Sequence, residues 1–514
     1  MQPRPWREHL PAGSGFVVDD LTRRRSLPAA WADAWAADAG APLLYDAGAG
    51  SAARWVSAGE FDDRTTAAAR RLLAAGLGRG DRLLWSTGSS LEAVVAVVAA
   101  LRAGLVVVPA NAAYTAREIT HIVSDVAPRA AVVDDPERAR WVTAAAAPDP
   151  VTVFSVGLDV VTGAAPASTR RHDGELDAAD GGAPALIAYT SGTTGAPKGA
   201  VLSHGNVLAN SESVAVTWRW ESDDRLVHAL PIFHGHGLCV ALFTSLLRRS
   251  SVVLLPRFDP AAVTEAVTST HATLFFGVPT MYHRLVASAG VAALGRLRLA
   301  VSGSAPLSAE LHDRIRRAAG VDVLERYGMT ETLMTLSNPY DGARRPGTVG
   351  FPFPGVDAVL TDGEILVRGP TVFGGYWRRP AATAERFVDG WFRTEDLAEI
   401  DDGYVRIRGR ASDLIVSGGY NVYPAEVEDV LLGHPAVAEV AVAATPSEEW
   451  GEAVTAWVVT NGAPPPAADV LAFAAGQLAP YKRPRIVHFV SELPRTALGK
   501  VRRAELRSPE APPH

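Results

Sequence analysis

Short apolar segments of strand length alternate with longer segments of helical periodicity along most of the chain. The apolar segments include ALIAYTS at 185–191 and ATLFFGVP at 272–279. A helix is predicted over 307–320, because Ser308 suits the N-cap position and Gly320 suits the residue that ends a helix. Alternation of this kind is typical of mostly parallel sheets covered by helices. The pattern therefore predicts an α/β fold built of layers.

The most apolar segment is LEAVVAVVAALRAGLVVVPA at 91–110. A membrane-spanning helix needs about 20 mostly apolar residues, and Glu92 and Arg102 interrupt this one. The segment therefore predicts a buried helix followed by a buried strand, and no membrane span. The amino-terminal residues lack the apolar core of a signal peptide, so we expect a cytoplasmic protein.

The pattern changes after about Phe351 to short alternating strands, VDAVLTDGEILVRG and then DGYVRIRGR, which predict a small antiparallel β-subdomain. From about Ala411 a final module combines two helical segments with further strands. The expected boundary lies within Gly409–Asp413. We therefore expect a large N-terminal domain, residues 1–409, and a small mobile α+β C-terminal domain, residues 410–514.

Composition narrows the possible partners of these 514 residues. Hydrophobic residues make up 48% and charged residues 20%, which is typical of a globular protein. The net charge of −7 gives no basis for binding nucleic acid or an anionic membrane. The single cysteine, Cys239, excludes an intramolecular disulfide and a cysteine-based zinc cluster. The composition leaves open whether the protein is a monomer or a homodimer.

The densest polar motif is YTSGTTGAPKG at 189–199, directly after an apolar segment. Its glycines let backbone N–H groups face a polyanion, its hydroxyls add donors, and Lys198 adds a positive charge. The position of Lys198 does not fit a Walker A loop, and the G-x-G-x-x-G fingerprint is absent. The motif predicts a loop that binds nucleotide phosphates, with a surface turn as the alternative.

This loop resembles the signature loop of the adenylate-forming superfamily, which comprises acyl-CoA synthetases, luciferases and peptide-synthetase adenylation domains. The resemblance continues in order down the chain and covers most of residues 40–507. Its further motifs are LPIFHGHG, GVPTMYHRL, VSGSAPL, ERYGMTET, GWFRTEDL, GYVRIRGRASDLIVSGGYNVYPAEVE and PRTALGK. The resemblance implies an AMP-forming ligase that uses ATP, Mg²⁺, coenzyme A and a small carboxylic acid. A carboxylate would attack the α-phosphorus of ATP, and a thiol would then take the acyl group.

The resemblance also implies roles for individual residues. It implies that Lys500 is the catalytic lysine, which bridges the acid, the ribose and the α-phosphate. Glu331 and Thr194 would contact Mg²⁺, Thr330 would hold a phosphate oxygen, and Asp396 would accept both ribose hydroxyls. The other residues with an implied role in nucleotide or CoA binding are Thr190, Ser191, Gly192, Thr193, Gly195, Lys198, Ser304, Ala305, Glu325, Arg326, Tyr327, Arg410, Ser417, Gly418, Gly419 and Tyr420.

Glu395, His234 and His236 stand out from the other candidate positions. Glu395 stands where many members of the superfamily carry glycine, and it adds a charge beside the expected ribose site. His234 and His236 have a spacing that suggests a metal site, but the sequence offers no convincing third ligand for zinc. The resemblance instead implies that His234 lies beside the acyl pocket and helps to gate it.

The acid itself is predicted from the residues expected to form its pocket. The combination GVPTMYHRL, VSGSA, ERYGMTETLM and RRPGTVGFPFPGV looks most like malonyl-CoA synthetases. A dicarboxylate needs a second cation, for which Arg257 and Arg345 are the candidates, while the bulky Met281 would shorten the pocket. The substrate candidates are Arg257, Thr280, Met281, Ser302, Gly303, Met329 and Arg345. We expect malonate or methylmalonate.

Other functions remain open at this point. The chain could activate a medium-chain or aromatic acid, or it could serve specialised metabolism with an acceptor other than CoA. A degenerate regulator that binds ATP without chemistry is a further alternative. The presence of Lys198, Glu331, Asp396 and Lys500 argues against that alternative, because inactive relatives tend to lose such residues.

Overall fold

The computed structural model describes residues 2–22, 25–155, 174–190, 197–417, 420–447, 449–496 and 500–506. In these ranges the α-helices are α1 (Leu27–Ala36), α2 (Ala58–Ala74), α3 (Leu91–Arg102), α4 (Ala116–Val126), α5 (Pro136–Ala146), α6 (His204–Thr217), α7 (Phe243–Arg248), α8 (Pro260–Ser269), α9 (Pro279–Val286), α10 (Ala309–Ala319), α11 (Pro380–Glu385), α12 (Pro424–Leu432) and α13 (Ala467–Ala475). The β-strands are β1 (Pro42–Asp46), β2 (Trp55–Ser57), β3 (Arg82–Ser86), β4 (Val106–Pro109), β5 (Ala130–Val133), β6 (Thr152–Ser155), β7 (Pro184–Thr190), β8 (Lys198–Ser203), β9 (Arg225–His228), β10 (Ser251–Leu254), β11 (Leu274–Gly277), β12 (Leu299–Ser302), β13 (Leu324–Met329), β14 (Leu333–Ser337), β15 (Phe351–Pro352), β16 (Asp357–Thr361), β17 (Glu364–Arg368), β18 (Gly375–Tyr376), β19 (Phe387–Val388), β20 (Trp391–Asp401), β21 (Tyr404–Arg410), β22 (Ile415–Ser417), β23 (Tyr420–Val422), β24 (Val437–Ser447), β25 (Gly451–Thr460) and β26 (Ile486–Phe489).

Two sheets rich in parallel strands form the large N-terminal part. In the described part of the chain the first sheet has nine strands, in the order β15-β14-β13-β12-β11-β9-β10-β1-β2, and the stretch from β13 to β1 is parallel. The second has seven strands in the described residues, in the order β18-β8-β7-β4-β3-β5-β6, and it is parallel from β7 to β6. Helices pack on both sheets, which confirms the predicted α/β layers.

The local signals in the sequence predicted several elements closely. Helix α10 begins after Ser308, whose side chain accepts a hydrogen bond from the Leu311 N–H, and it ends at Gly320 with φ +70°. The apolar segment 91–110 forms α3 and then β4, and both elements are almost entirely buried. In the ranges that the structure describes, no helix combines the length and the apolar character needed to cross a membrane.

Two smaller sheets follow the large ones. Strands β16, β17, β20 and β19 pair in that order and β21 pairs with β20, which confirms the predicted antiparallel β-subdomain. In the final module β23, β22, β25 and β24 pair in order, and β26 joins β25. Arg410 still pairs with Asp396 of the β-subdomain, whereas β22, which begins at Ile415, pairs within the final sheet. The domain boundary between residues 409 and 410 stays a prediction.

Arg102 joins three segments of the N-terminal part from a buried position. Its side chain is 6% exposed, and its Nη2 lies 2.8 Å from Asp177 Oδ2 while its Nη1 contacts Asp62 Oδ1. We expect Arg102→Met to lower the free energy of unfolding by about 3 kcal/mol, because it leaves these carboxylates without their partner. The surface pair of Arg64 and Glu60 provides the control. In urea unfolding, Arg64→Met should cost less than about 1 kcal/mol, and equal losses in the two variants would contradict the prediction.

Candidate active site

The sequence motifs converge at the edge of the nine-stranded sheet where its parallel strands end. His228 ends β9, Gly277 ends β11 and Ser302 ends β12. Gly277 lies opposite Ser302 in the strand register, and Ser302 lies opposite Glu325 of β13. Ligands of open α/β sheets bind outside the carboxyl ends of the strands. This edge is therefore the candidate site.

Asp396 is held by groups that fix both of its carboxylate oxygens. The residue is 5% exposed. Arg410 Nε lies 2.7 Å from Asp396 Oδ1, and the Tyr327 hydroxyl donates to Oδ2. Burial raises the pKa of Asp396, and the nearby Arg410, Tyr327 and Lys500 act against that increase. The arrangement orients a buried carboxylate whose remaining lone pairs can accept hydrogen bonds from a diol.

The neighbouring Glu395 is paired elsewhere. It has φ +58°, a conformation that glycine adopts without steric cost, which explains why glycine suits this position in many relatives. Its carboxylate forms an ion pair with Arg386, whose side chain is 14% exposed. The added charge is therefore neutralised by a neighbouring guanidinium, and the departure from the family pattern leaves Asp396 its own partners.

A second cluster connects Lys198, Tyr376 and Glu331. The Tyr376 hydroxyl donates to Glu331 Oε1 at 2.8 Å, and Lys198 Nζ lies 5.5 Å from the centre of the Tyr376 ring. Lys198 begins β8 opposite Thr190, the last residue of β7, so one hairpin carries both ends of the phosphate loop. Sequence reasoning missed Tyr376, because an aromatic residue far from the loop gives no chemical signal. Residues 191–196 of the loop lie outside the described part of the chain, and they include the predicted site residues Ser191, Gly192, Thr193, Thr194 and Gly195.

Glu331 has the chemistry of a magnesium ligand. It is 5% exposed and follows Thr330 in the turn between β13 and β14. Mg²⁺ prefers one or two carboxylates and takes its other ligands from water and substrate phosphates. Among the described residues, no group of three or more His, Cys, Asp or Glu side chains could hold a metal ion. A single carboxylate therefore fits Mg²⁺ bound together with a nucleotide.

The turn after β12 contacts the histidine segment. Ser304 has φ +68°, and its hydroxyl lies 3.3 Å from Nδ1 of the buried His236. On the other side of the turn, Glu325 Oε1 accepts a hydrogen bond from the Leu307 N–H at 2.9 Å. Burial raises the pKa of Glu325 to about 8. The remaining predicted residues here are the buried Ser302 and Gly303 and the partly buried Ala305, Met329 and Thr330.

The histidines occupy a segment with unusual backbone geometry. Residues His236–Leu242 form a π-helical turn, a feature that occurs frequently at functional sites. Gly237 permits this turn, since a Cβ at that position would lie 2.3 Å from the Pro231 carbonyl oxygen. His234 is partly buried, and its Nδ1 accepts a hydrogen bond from the His236 N–H at 3.3 Å. Burial lowers the pKa of His234 to about 4, which keeps the ring neutral at physiological pH.

A cavity of about 440 Å³ opens beside this segment. The predicted substrate residues Arg257, Thr280 and Met281 line it, and Arg284 and Arg495 line it as well. Among the described residues, its lining has three arginines and no aspartate or glutamate. The other lining residues are Thr87, Gly88, Ser89, Ala112, Ala229, Leu230, Pro231, Phe233, Pro256, Phe258, Val278 and Thr496. The cavity is therefore suited to an anionic ligand.

The two arginines expected to hold the acid lie in different surroundings, and their role stays a prediction. Arg345 does not line the cavity: it pairs with Asp402, and its guanidinium lies 4.1 Å from the centre of the Tyr404 ring. Arg284 lies at the cavity instead, four residues after Thr280 on α9. Residues at i and i+4 share a helix face, so the helical period of GVPTMYHRL was the signal that would have identified Arg284.

Residues of the final module also reach the site. The charge of Lys500 influences Asp396. Burial and the positive charge of Arg410 lower the pKa of Lys500, although the lysine keeps contact with solvent. Ser417 is buried at the end of β22, whereas Tyr420 is 59% exposed and stacks on Tyr481 with ring centres 4.8 Å apart. Gly418 and Gly419 lie outside the described residues.

Two family models match this chain, one in the large N-terminal part and one in the final module. The family model "AMP-binding enzyme" matches residues 31–377, and "AMP-binding enzyme C-terminal domain" matches residues 426–500. A feruloyl-CoA synthase of an Amycolatopsis species is 37% identical over 475 residues, which cover 87% of this chain and 92% of that protein. The crystal structure of ATP-bound MatB from Rhodopseudomonas palustris is 41% identical, covers 93% of this chain and 98% of that one, and has a TM-score of 0.85.

A third relative was solved with products. It is a malonyl-CoA ligase in a ternary complex with methylmalonyl-CoA and AMP, and it is 40% identical to this chain. The alignment covers 89% of this chain and 97% of the relative's chain, with a TM-score of 0.61. These matches confirm the predicted superfamily, fold and enzyme class. The chain belongs to the AMP-binding enzyme family, as an acyl-CoA ligase.

Proposed function

We propose that this ligase converts malonate or methylmalonate into the corresponding CoA thioester at the expense of ATP. In the first half-reaction, an oxygen of one carboxylate attacks the α-phosphorus of ATP, and pyrophosphate leaves. In the second, the CoA thiolate attacks the acyl carbon and AMP leaves with the carboxylate oxygen. The ATP-bound and CoA-product structures of relatives support these substrates.

The geometry gives the ribose and the phosphates of ATP separate partners. Asp396, held by Arg410 and Tyr327, accepts the ribose hydroxyls through its remaining lone pairs. Lys198 and Thr190, at the two ends of the phosphate loop, lie next to the polyphosphate. Lys500 meets the reacting carboxylate and the α-phosphate, two anions that repel each other without a cation between them.

Magnesium completes the phosphate site in this proposal. Glu331 and Thr194 would hold the ion, and the bound ion would supply positive charge against the phosphates. Tyr376 donates a hydrogen bond to Glu331 Oε1 and thereby orients the carboxylate.

The positive charge of the residues that line the cavity is the basis for proposing a dicarboxylic acid. Arg495 pairs with Glu439, but Arg257 and Arg284 together still provide more positive charge than a monocarboxylate such as ferulate neutralises. A dicarboxylate keeps one carboxylate for adenylation and places the other near guanidinium groups, whose planar fork suits it. The malonyl-CoA ligase with methylmalonyl-CoA supports this choice. The similarity to a feruloyl-CoA synthase makes an aromatic acid the second candidate.

We also propose that residues 410–514 rotate against residues 1–409 between the half-reactions. The chain resembles the ATP-bound relative at a TM-score of 0.85 but the product complex at only 0.61, although both are about equally similar in sequence. Lys500 faces Asp396 in the present arrangement, which supports its assignment to adenylation. Rotation would bring Ser417, Gly418, Gly419 and Tyr420 toward the thiol, as predicted from the sequence.

A pyrophosphate-release screen tests the acid. We expect kcat/KM for malonate to exceed that for propionate by about 100-fold or more, because a site built for a polar group rejects an analogue that leaves it unpaired. Octanoate and ferulate should be poorer still. A higher kcat/KM for ferulate or octanoate than for malonate would contradict the proposal. The identity of the thiol substrate is tested by analysing the thioester products formed with CoA and with pantetheine, a truncated acceptor.

A further inference from the structure

Glu395 combines a negative charge with a backbone conformation that residues with a side chain rarely adopt. Its φ of +58° lies in the left-handed region. The residue directly precedes Asp396, the carboxylate proposed to bind the ribose, and its side chain is 49% exposed. A polyanion such as ATP that binds at Asp396 therefore meets a second negative charge beside it.

Arg386, which lies between α11 and β19, holds this glutamate. Its guanidinium forms an ion pair with Glu395, and its Nη2 donates a hydrogen bond to the carbonyl oxygen of Thr394 at 3.4 Å. The guanidinium carbon lies 5.2 Å from the centre of the Phe392 ring. These contacts leave the Arg386 side chain 14% exposed. Arg386 therefore fixes the carboxylate of Glu395 and cancels its charge.

The contacts of Asp396 do not depend on Arg386 directly. Arg410 Nη1 donates to the same carbonyl of Thr394 at 3.3 Å, and Arg410 Nε lies 2.7 Å from Asp396 Oδ1. The Asp396 N–H donates to the Thr394 hydroxyl at 3.1 Å. The Thr394 carbonyl thus keeps a donor when Arg386 is removed, and Asp396 keeps its partners. The uncompensated charge of Glu395 is then the main consequence of losing Arg386.

The charges of Arg386 and Glu395 both act on the groups assigned to the nucleotide. Burial and Glu331 raise the pKa of Tyr376, Glu395 raises it further, and Arg386 acts in the opposite direction. Tyr376 donates to Glu331, the proposed magnesium ligand. Burial raises the pKa of Asp396, and Arg386 also acts against that increase. An uncompensated charge at position 395 would therefore affect both the ribose side and the phosphate side of the site.

We propose that Arg386 is a positioning residue for ATP binding, which this chain requires because it carries Glu395. Arg386 holds the carboxylate of Glu395 and cancels its charge, so the polyphosphate is not repelled when the ribose binds at Asp396. The inference rests on the proposed function, since it uses the placement of the ribose at Asp396. The need for Arg386 should disappear when the charge at position 395 is removed.

A double-mutant cycle on the KM for ATP tests this coupling. ATP–pyrophosphate exchange is measured for the wild type, Arg386→Met, Glu395→Gly and the double variant, with a saturating concentration of the acid that the wild type uses best. We expect Arg386→Met to raise the KM for ATP about tenfold and to change kcat less than about threefold, because a nearby like charge weakens the binding of a polyanion. Glu395→Gly suits the positive φ and should keep the wild-type KM. The double variant should return to within about twofold of the wild type.

Ionic strength separates this charge effect from a structural one. The increase in KM caused by Arg386→Met should shrink when the salt concentration rises from about 0.05 M to about 0.5 M, because ions screen the charge of Glu395. Arg386→Lys keeps a cation and should retain most of the affinity for ATP. Arg368→Met removes a guanidinium from an exposed ion pair with Asp357 in the same β-subdomain, and it should leave the KM unchanged. If Arg386→Met does not fold, Arg386→Gln takes its place in the same measurements.

Two results would overturn the inference, and they differ from failure of the proposed function. An unchanged KM for ATP in Arg386→Met would show that the charge of Glu395 does not reach the nucleotide. A double variant as impaired as Arg386→Met would show that Arg386 does not act through Glu395. In both cases Asp396 remains the ribose ligand if Asp396→Asn loses the discrimination against 2′-deoxy-ATP. If Asp396→Asn keeps that discrimination, the proposed placement of the ribose fails together with the inference.

Discussion

Lys500→Ala is expected to slow adenylation of the acid by about 1000-fold, the largest single effect predicted for this enzyme. The attacking carboxylate and the α-phosphate are both anionic, and in the present structure the positive charge of Lys500 acts on the carboxylate of Asp396. Lysine is rare in this chain: it stands only at 198, 482 and 500, and all other basic residues among the 49 Lys and Arg are arginine. A lysine among so many arginines marks a position that favours a slim, flexible ammonium.

Acid-dependent ATP–pyrophosphate exchange measures this effect. Lys482→Ala is the matched control, because that lysine pairs with Glu426 within the final module. It should change the exchange rate less than about threefold. Thioester formation from a supplied acyl-adenylate should fall far less than adenylation in Lys500→Ala, since we propose that the lysine leaves the nucleotide site when residues 410–514 rotate. Exchange close to the wild-type rate in Lys500→Ala would contradict the assignment.

The pH dependence of the same reaction follows from the environment of Lys500. Burial and Arg410 lower its pKa, so the protonated form is lost at a lower pH than for an ordinary lysine. Adenylation should therefore decline as the pH rises, before the ordinary lysine range is reached. Lys500→Arg keeps its charge at high pH and should move that decline upward even if its maximal rate is lower.

Asp396→Asn is expected to lower kcat/KM for ATP by about 100-fold. The carboxylate is oriented by Arg410 and Tyr327, so its free lone pairs are fixed where the proposal places the ribose. Asparagine keeps the size of the side chain but replaces one acceptor oxygen by a donor group, which cannot accept from a hydroxyl. It also leaves the partly buried Arg410 without its charged partner.

Deoxynucleotides make this prediction specific for the ribose. The wild type should use 2′-deoxy-ATP and 3′-deoxy-ATP much less well than ATP, and Asp396→Asn should largely lose that discrimination. The neighbouring Glu395, which pairs with Arg386, provides the control. Glu395→Gly suits the positive φ at that position and should leave the discrimination intact. Equal discrimination in wild type and Asp396→Asn would remove Asp396 from the ribose site.

Much of the architecture could be predicted because its causes are local. The cap at Ser308 and the left-handed Gly320 delimit α10 by hydrogen bonds and backbone conformation within a few residues. The segment 91–110 forms a buried helix and a buried strand, because burial removes its apolar side chains from water. Collinear motifs likewise identified the superfamily, since each motif contains its own chemistry.

The surroundings of Arg345 and Arg284 were not predicted from the sequence. Arg345 was expected at the acid pocket, but Asp402, far away in the sequence, binds it at the surface. Arg284 shares a helix face with the predicted Thr280, so the helical period indicated its position, but the sequence analysis did not assign it. Tyr376 reached Glu331 through the pairing of β18 with β8, which no local pattern indicates.

The order of residues alone determined the α/β class, the identity of the superfamily and the types of side chain available for handling ATP. The tertiary structure decided which charges are neutralised and which remain free. A guanidinium can be paired, as in Arg345, or left unpartnered, as in Arg326, depending on which carboxylates the fold brings within hydrogen-bonding distance. That outcome depends on long-range strand register and packing, and the strength of each charge then depends on burial, since water weakens electrostatic interactions at the surface.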